Sequence, residues 1–342
     1  MSEGLGLRAF ISGCEALSLS ARERDFFRDA RPCGLILFMR NCAGAEQVQR
    51  LVAEFYDCVG DERAFVLIDQ EGGRVQRLCP PAWRCYPPGA RFGELYGRDA
   101  ARGLEAARAA ARLIARDLSA LGINVNCAPV LDLPAAGAHD IIGDRAYGAD
   151  VEAVSALGRA VAEGYLEGGV LPVIKHIPGH GRAAVDSHAS LPVIEASRDE
   201  LSATDFQPFR ALRDMPLAMT AHILIPAIDP DHPSSASRAI IGDVIRRDIG
   251  FDGLLMCDDL GMNALSGDMA ARARAVLEAG CDVALHCSGR FAEMQAVAAA
   301  APDLCGEAAR RFHSARARLH AAQAFDEARA EALLAEVLGE IA

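Results

Sequence analysis

Two segments of the chain carry residues whose types and spacing could do chemistry. The first runs Lys175-His-Ile-Pro-Gly-His-Gly-Arg-Ala-Ala-Val-Asp-Ser-His188, leaving an apolar run for a stretch with two glycines and a proline. Asp186 and His188, two positions apart in that stretch, can form a carboxylate–imidazole pair in which the aspartate orients the ring and stabilises its protonated form. That is a proton shuttle. A shuttle alone contributes about 10²–10⁴-fold to a rate, whereas enzymes supply about 10⁶-fold or more, so a second group is needed. The second segment, Leu254-Leu-Met-Cys-Asp-Asp259, offers Asp258 at the end of an apolar run, a rigidly held carboxylate able to attack an electrophilic carbon such as a sugar's anomeric centre. Asp259 points the other way if the strand pleat continues, and reads as a supporting residue. His176, His180 and His188 could also be read as metal ligands, but their spacing matches no zinc pattern such as H-E-x-x-H and no cysteine joins them, so neither a metal nor another cofactor is expected.

Polar residues of this kind recur just after apolar runs: Asp69, Lys175 and His176, His222, Asp258 and Asp259, and His286. The runs predict eight strands, over Leu7–Ser12, Gly34–Phe38, Ala64–Ile68, Ile123–Cys127, Leu171–Lys175, Leu217–Ala221, Leu254–Cys257 and Cys281–Leu285. Between them lie longer Ala-, Arg- and Glu-rich stretches with helical spacing of apolar residues. Near-continuous hydrophobicity suits parallel strands covered on both faces, and the eight-fold alternation points to a single (β/α)₈ TIM-type barrel, an α/β fold spanning residues 1–342. In that fold the polar residues at the strand ends share one rim, where catalytic side chains sit. An open doubly wound sheet is the other candidate; against it stands the lack of a G-x-G-x-x-G or G-x-x-x-x-G-K-[ST] loop for a nucleotide. The segment LCPPAWRCYPPGARFGELY is expected as an ordered excursion over the barrel mouth, followed by a helix from about Ala100 to Ser119. The tail from Gly306 to Ala342 has a long amphipathic helical pattern, a C-terminal helical segment packed outside the barrel.

Composition narrows the partners. With 35 basic against 47 acidic residues the net charge is -12, which repels nucleic-acid phosphates and anionic lipid surfaces. The start lacks a basic region followed by an apolar one, and no stretch approaches the roughly eighteen apolar residues of a membrane span; a cytoplasmic protein is expected. Eleven cysteines, none spaced C-x-x-C and several, such as Cys127, Cys257 and Cys281, inside apolar runs, read as reduced, packed thiols.

The segments CGLILFMRN, IDQEGGRVQRL, APVLDL, IGDRAYG, KHIPGHG with DSH, MTAHILIPAID and MCDDLGM together resemble glycoside hydrolase family 3, in the order of that family and over essentially the whole chain. The resemblance is greatest to its short bacterial β-N-acetylglucosaminidases of cell-wall recycling. It implies that Asp258 is the nucleophile, His188 the acid/base and Asp186 its partner, and that Asp69, Arg77, Arg145, Lys175 and His176 hydrogen-bond the sugar. It implies a retaining, cofactor-free barrel, a monomer or weak oligomer, acting on a small carbohydrate such as a GlcNAc–anhydromuramyl fragment. Two positions depart from the family pattern: Ile177 stands where Phe is common, and Arg182-Ala183 where Asp-Thr is common. Arg182 can anchor the loop, reach toward an acidic aglycone, or simply be solvated. A β-glucosidase-like enzyme, an N-acetylglucosaminide phosphorylase and a sugar-binding protein without turnover are the alternatives.

Overall fold

Apolar runs buried along their whole length become the strands of one parallel sheet. In the computed structural model, which describes residues 5–187 and 190–339, these are β1 (Arg8–Ser12), β2 (Pro32–Leu37), β3 (Phe65–Ile68), β4 (Val125–Asn126), β5 (Leu171–Ile177), β6 (Leu217–Thr220), β7 (Leu254–Met256) and β8 (Ala284–His286). Each falls on one of the expected runs. The strand order is β8-β1-β2-β3-β4-β5-β6-β7. Met256 bridges in parallel to Val283, and the Asp282 N–H donates to the Leu255 carbonyl at 2.8 Å, so β7 meets β8 and the sheet curls into the eight-stranded barrel. Helices occupy the connections and start where the sequence supplies caps: Asp99, Asp150 and Asp268 accept backbone N–H groups of Arg102, Ala153 and Ala271. The helix Ala100–Ser119 has the expected limits. Among the described residues no helix is long and apolar enough to cross a membrane.

Strand β4 is shorter than its apolar run, because two asparagine side chains replace part of its ladder. The Asn124 amide oxygen accepts the Val66 N–H at 2.9 Å. Asn126 accepts the Gln70 N–H and donates to the Gln70 carbonyl, each at 2.9 Å. These amides tie β4 to β3 and its continuation beside the main-chain bonds from Asn124 and Cys127 to the Val66 and Ile68 carbonyls.

The excursion after β3 differs from expectation. It begins with an antiparallel hairpin, Gln70–Gly72 against Val75–Gln76, and Arg74, Val75 and the adjoining Arg77 line the mouth cavity; none of residues 78–99 does. The rest is held along the flank, where the Tyr86 hydroxyl donates to Asp117 at 2.6 Å and Arg84 pairs with Glu331 at 2.7 Å. The C-terminal segment is helical but divided, into Gly306–Arg316 and Glu327–Gly339. The stretch between gives its backbone to neighbours instead: the Gln323 N–H donates to the Glu167 carbonyl at 2.8 Å, and Arg112 donates to the Gln323 and Ala324 carbonyls at 2.9 and 3.1 Å. Tertiary partners there outweigh helical spacing.

Gly72 holds the hairpin against the flank. Its φ is +102°, and a Cβ there would lie 2.3 Å from the Pro87 carbonyl oxygen. Gly72→Ala should therefore cost about 1–3 kcal/mol, read by urea unfolding. Unchanged stability would show that the hairpin is not docked as described.

Candidate active site

At the C-terminal ends of the strands a cavity of about 280 Å³ opens, lined among others by Asp69, Arg77, Arg145, Lys175, His176 and Asp258. Those are the residues that the resemblance assigns to the sugar, together with the candidate nucleophile. They arrive from separate elements: Asp69 follows β3, Arg77 follows the hairpin, Arg145 sits in a helical turn at Gly143–Arg145, Lys175 and His176 belong to β5, and Asp258 follows β7.

Lys175 organises one wall. Its ammonium is 2% exposed and lies 2.9 Å from Asp69 Oδ1 and 2.6 Å from Glu71 Oε1. Each carboxylate takes a second cation: Arg77 meets Asp69 Oδ2 at 3.0 Å, and Arg145 forms a two-pronged pair with Glu71, both contacts at 2.9 Å. Burial alone would raise both carboxyls, but these cations outweigh it, holding Asp69 far below the usual carboxylate range and Glu71 at about 2. Burial would likewise lower Lys175; the two carboxylates raise it instead. The Arg77 guanidinium also lies 5.0 Å from the Phe38 ring centroid, a cation–π contact that fixes its direction.

Asp132 organises the facing wall. Fully buried, it accepts His176 Nδ1 at 2.6 Å and the backbone N–H groups of His176 and His180 at 3.3 and 2.6 Å. Burial pushes its carboxyl up, and the nearby His176 and His180, with the hydrogen bonds from the His176 ring and the His180 N–H, bring it below its ordinary value. With Nδ1 committed to Asp132, His176 has its other ring nitrogen available to a ligand. Asp258 Oδ1 accepts the Asp259 N–H at 2.8 Å. Burial raises the Asp258 carboxyl, but nearby His176 and His222, that N–H and Lys175 hold it below the usual range. It is therefore ionised at neutral pH. Asp259 supports the turn, its Oδ1 accepting the Cys287 and Gly261 N–H groups at 3.0 and 3.1 Å.

Two strand-end histidines do not reach the cavity. His222 is occupied by Ser235 Oγ at 2.6 Å and the Asp259 carbonyl at 3.1 Å, and His286 by Glu293 at 3.0 Å. Arg182 proves to be an anchor: it meets Asp205 at 2.8 Å, Glu200 at 2.6 Å and Thr204 at 3.1 Å. Its guanidinium is thus engaged by the neighbouring helix rather than by the cavity. Asp186 lies on the loop beyond, its carbonyl accepting the Ser190 N–H at 3.1 Å. His188 lies outside the described residues. Sequence reasoning missed Glu71 and Asp132 as site residues. Their signal was an acidic residue inside an otherwise apolar or glycine-rich segment, since such a charge is buried only when paired.

Comparison with known proteins follows the same lines. The model of the glycosyl hydrolase family 3 N-terminal domain matches residues 11–321. A β-hexosaminidase of Aromatoleum aromaticum is 37% identical over 312 residues, 90% of this chain and 87% of its own length. A β-hexosaminidase of Methylococcus capsulatus is 41% identical over 274 residues, 79% of this chain and 80% of that one. The chain belongs to glycosyl hydrolase family 3. Within the family, the crystal structure of NagZ from Neisseria gonorrhoeae in complex with N-trifluoroacetyl-D-glucosamine is similar at a TM-score of 0.86 and 32% identity, covering 98% of each chain. This family member is accordingly a glycoside hydrolase of the β-N-acetylhexosaminidase type.

The Lys175 cluster makes a pH-dependent contribution to stability. Glu71, depressed to about 2 from 4.5, contributes stability that is complete above pH 4.5 and lost as the pH falls toward 2. Lys175→Met leaves two carboxylates facing each other, and should cost about 3–5 kcal/mol at pH 7. That loss should shrink as the pH approaches 4, because protonation then relieves the repulsion. Urea unfolding at several pH values measures it, and a loss independent of pH would contradict the ionic account.

Proposed function

We propose that the protein removes terminal N-acetylglucosamine from peptidoglycan-derived GlcNAc–anhydromuramyl fragments by double displacement. Asp258 attacks the anomeric carbon while His188, paired with Asp186, protonates the departing glycosidic oxygen. The resulting glycosyl–Asp258 ester is then hydrolysed by a water from which His188 takes the proton, with net retention. Asp69, Arg77, Arg145, Lys175 and His176 hold the sugar.

The observation that carries this reading is Asp258: a strand-end carboxylate in a cavity of about 280 Å³, held in its ionised, nucleophilic form. That volume lies just under the roughly 300–1,000 Å³ usual for ligand pockets, which suits one sugar ring better than a longer oligosaccharide. An N-acylated glucosamine accompanies the gonococcal neighbour. The chain is taken to work as one catalytic domain, a monomer or weak oligomer, in the cytoplasm. Its eleven cysteines are all free, seven of them buried, as a reducing compartment favours.

Release of nitrophenol from 4-nitrophenyl β-N-acetylglucosaminide in EDTA, and not from the corresponding glucoside, is the expected result. Release from the glucoside alone would refute the sugar assignment. Asp258→Ala should lower kcat by about 10⁵-fold or more, and a slow 5-fluoro-N-acetylglucosaminyl fluoride should leave a glycosyl adduct on Asp258, seen by peptide mass mapping. His188→Ala should cost about 10²–10⁴-fold on substrates with poor leaving groups and far less on the nitrophenyl glycoside, whose leaving group needs no proton. Equal losses on both would count against His188 as the acid.

A further inference from the structure

The imidazole of His180 takes no part in the reaction so far described, yet it lines the same cavity and is 3% exposed. It sits beside His176, the ring centroids 5.8 Å apart, and its backbone N–H is held by Asp132 at 2.6 Å. Burial lowers its pKa to about 4, so the ring is neutral at working pH and carries a single N–H. Nδ1 is buried with no partner among the described residues, whereas Nε2 lies 3.3 Å from Ser187 Oγ. An orphaned N–H is costlier than an orphaned acceptor. The proton therefore belongs on Nε2, which donates to Ser187.

Ser187 is itself buried, and its carbonyl accepts the Ala264 N–H at 3.2 Å. It is thus tied on one side to the loop that follows the nucleophile's strand and on the other to His180. The stem on which His180 stands is fixed. A Cβ at Gly181 would lie 2.0 Å from the Leu133 carbonyl oxygen. The Ala135 and His139 N–H groups donate to the Gly181 and Ala183 carbonyls at 3.0 and 2.8 Å. Arg182 is bound to Asp205. A rigid stem, one long hydrogen bond and a serine lying between Asp186 and His188 in the chain make a positioning device.

We infer that His180 is a positioning residue which, through its hydrogen bond to Ser187, holds the loop at Asp186 and Ser187 in register with Asp258. The inference rests on the reading of His188 as the acid/base. It assigns His180 no proton transfer and no contact with the reacting atoms.

The test uses the full chain and compares kcat/KM on methyl and 4-nitrophenyl β-N-acetylglucosaminides, since only the former needs a well-placed acid. His180→Ala and Ser187→Ala should each lower the methyl-to-nitrophenyl ratio about tenfold, a fraction of what a general acid supplies. The double variant should fall no further, and His180→Gln, which keeps a donor near the Nε2 position, should recover most of the ratio. His188→Ala is run alongside. If it lowers the ratio while Ser187→Ala and His180→Ala leave it unchanged, or reduce both substrates equally, the inference is overturned and the acid/base reading stands. If His188→Ala itself leaves the ratio unchanged, the acid/base reading falls and takes the inference with it. Should His180→Ala not fold, Ser187→Ala and His180→Gln decide the matter.

Discussion

A single buried ammonium, Lys175, is the constraint on which one wall of the cavity depends. Placing it inside the barrel demands anionic partners, and Asp69 and Glu71 meet that demand from the segment after β3. Each carboxylate then needs further compensation, and Arg77 and Arg145 provide it from the hairpin and from the turn at Gly143–Arg145. Parts of the chain that are distant in sequence are therefore locked in place by charge balance. Lys175, Arg77 and Arg145 against Asp69 and Glu71 give this wall more cations than carboxylates, and Asp258 stands across the cavity from them.

The opposite wall obeys a second rule, that a fully buried carboxylate must be given donors. Asp132 receives three, one from the His176 ring, one from the His176 backbone at the end of β5 and one from the His180 backbone just beyond it. The effect is to hold the segment that leaves β5 down as it departs, so that its stem is rigid before the loop begins. Arg182 adds an anchor on the other side. Rigid elements under a loop are what allow catalytic side chains to stand on it without losing their geometry. The Asp259 carboxylate does the same for the turn that carries Asp258.

Much of this was legible from sequence because its signals are local. Near-continuous apolar runs mark parallel strands, and all eight were found; a polar residue directly after such a run marks the C-terminal rim, which located Asp69, Lys175, His176 and Asp258 together. The same signal misled for His222 and His286, because it gives the end of the barrel but not which way a side chain turns; Ser235 and Glu293, which claim those rings, come from later in the chain. Glu71 and Asp132 were passed over for a related reason. A buried ion is recognised by its partners, and these partners lie 74 and 44 positions away.

The sequence by itself determined the barrel and its family, and it marked the rim residues proposed here for glycoside chemistry, since periodicity, caps and motif order are properties of neighbouring positions. Tertiary structure decided the rest: that Arg182 is an anchor, that asparagine amides shorten β4, that the C-terminal helical segment breaks where Arg112 and Glu167 take its backbone. Each of these outcomes is a competition between a local preference and a partner brought near only by closure of the sheet. Local spacing carries no information about which partner will arrive.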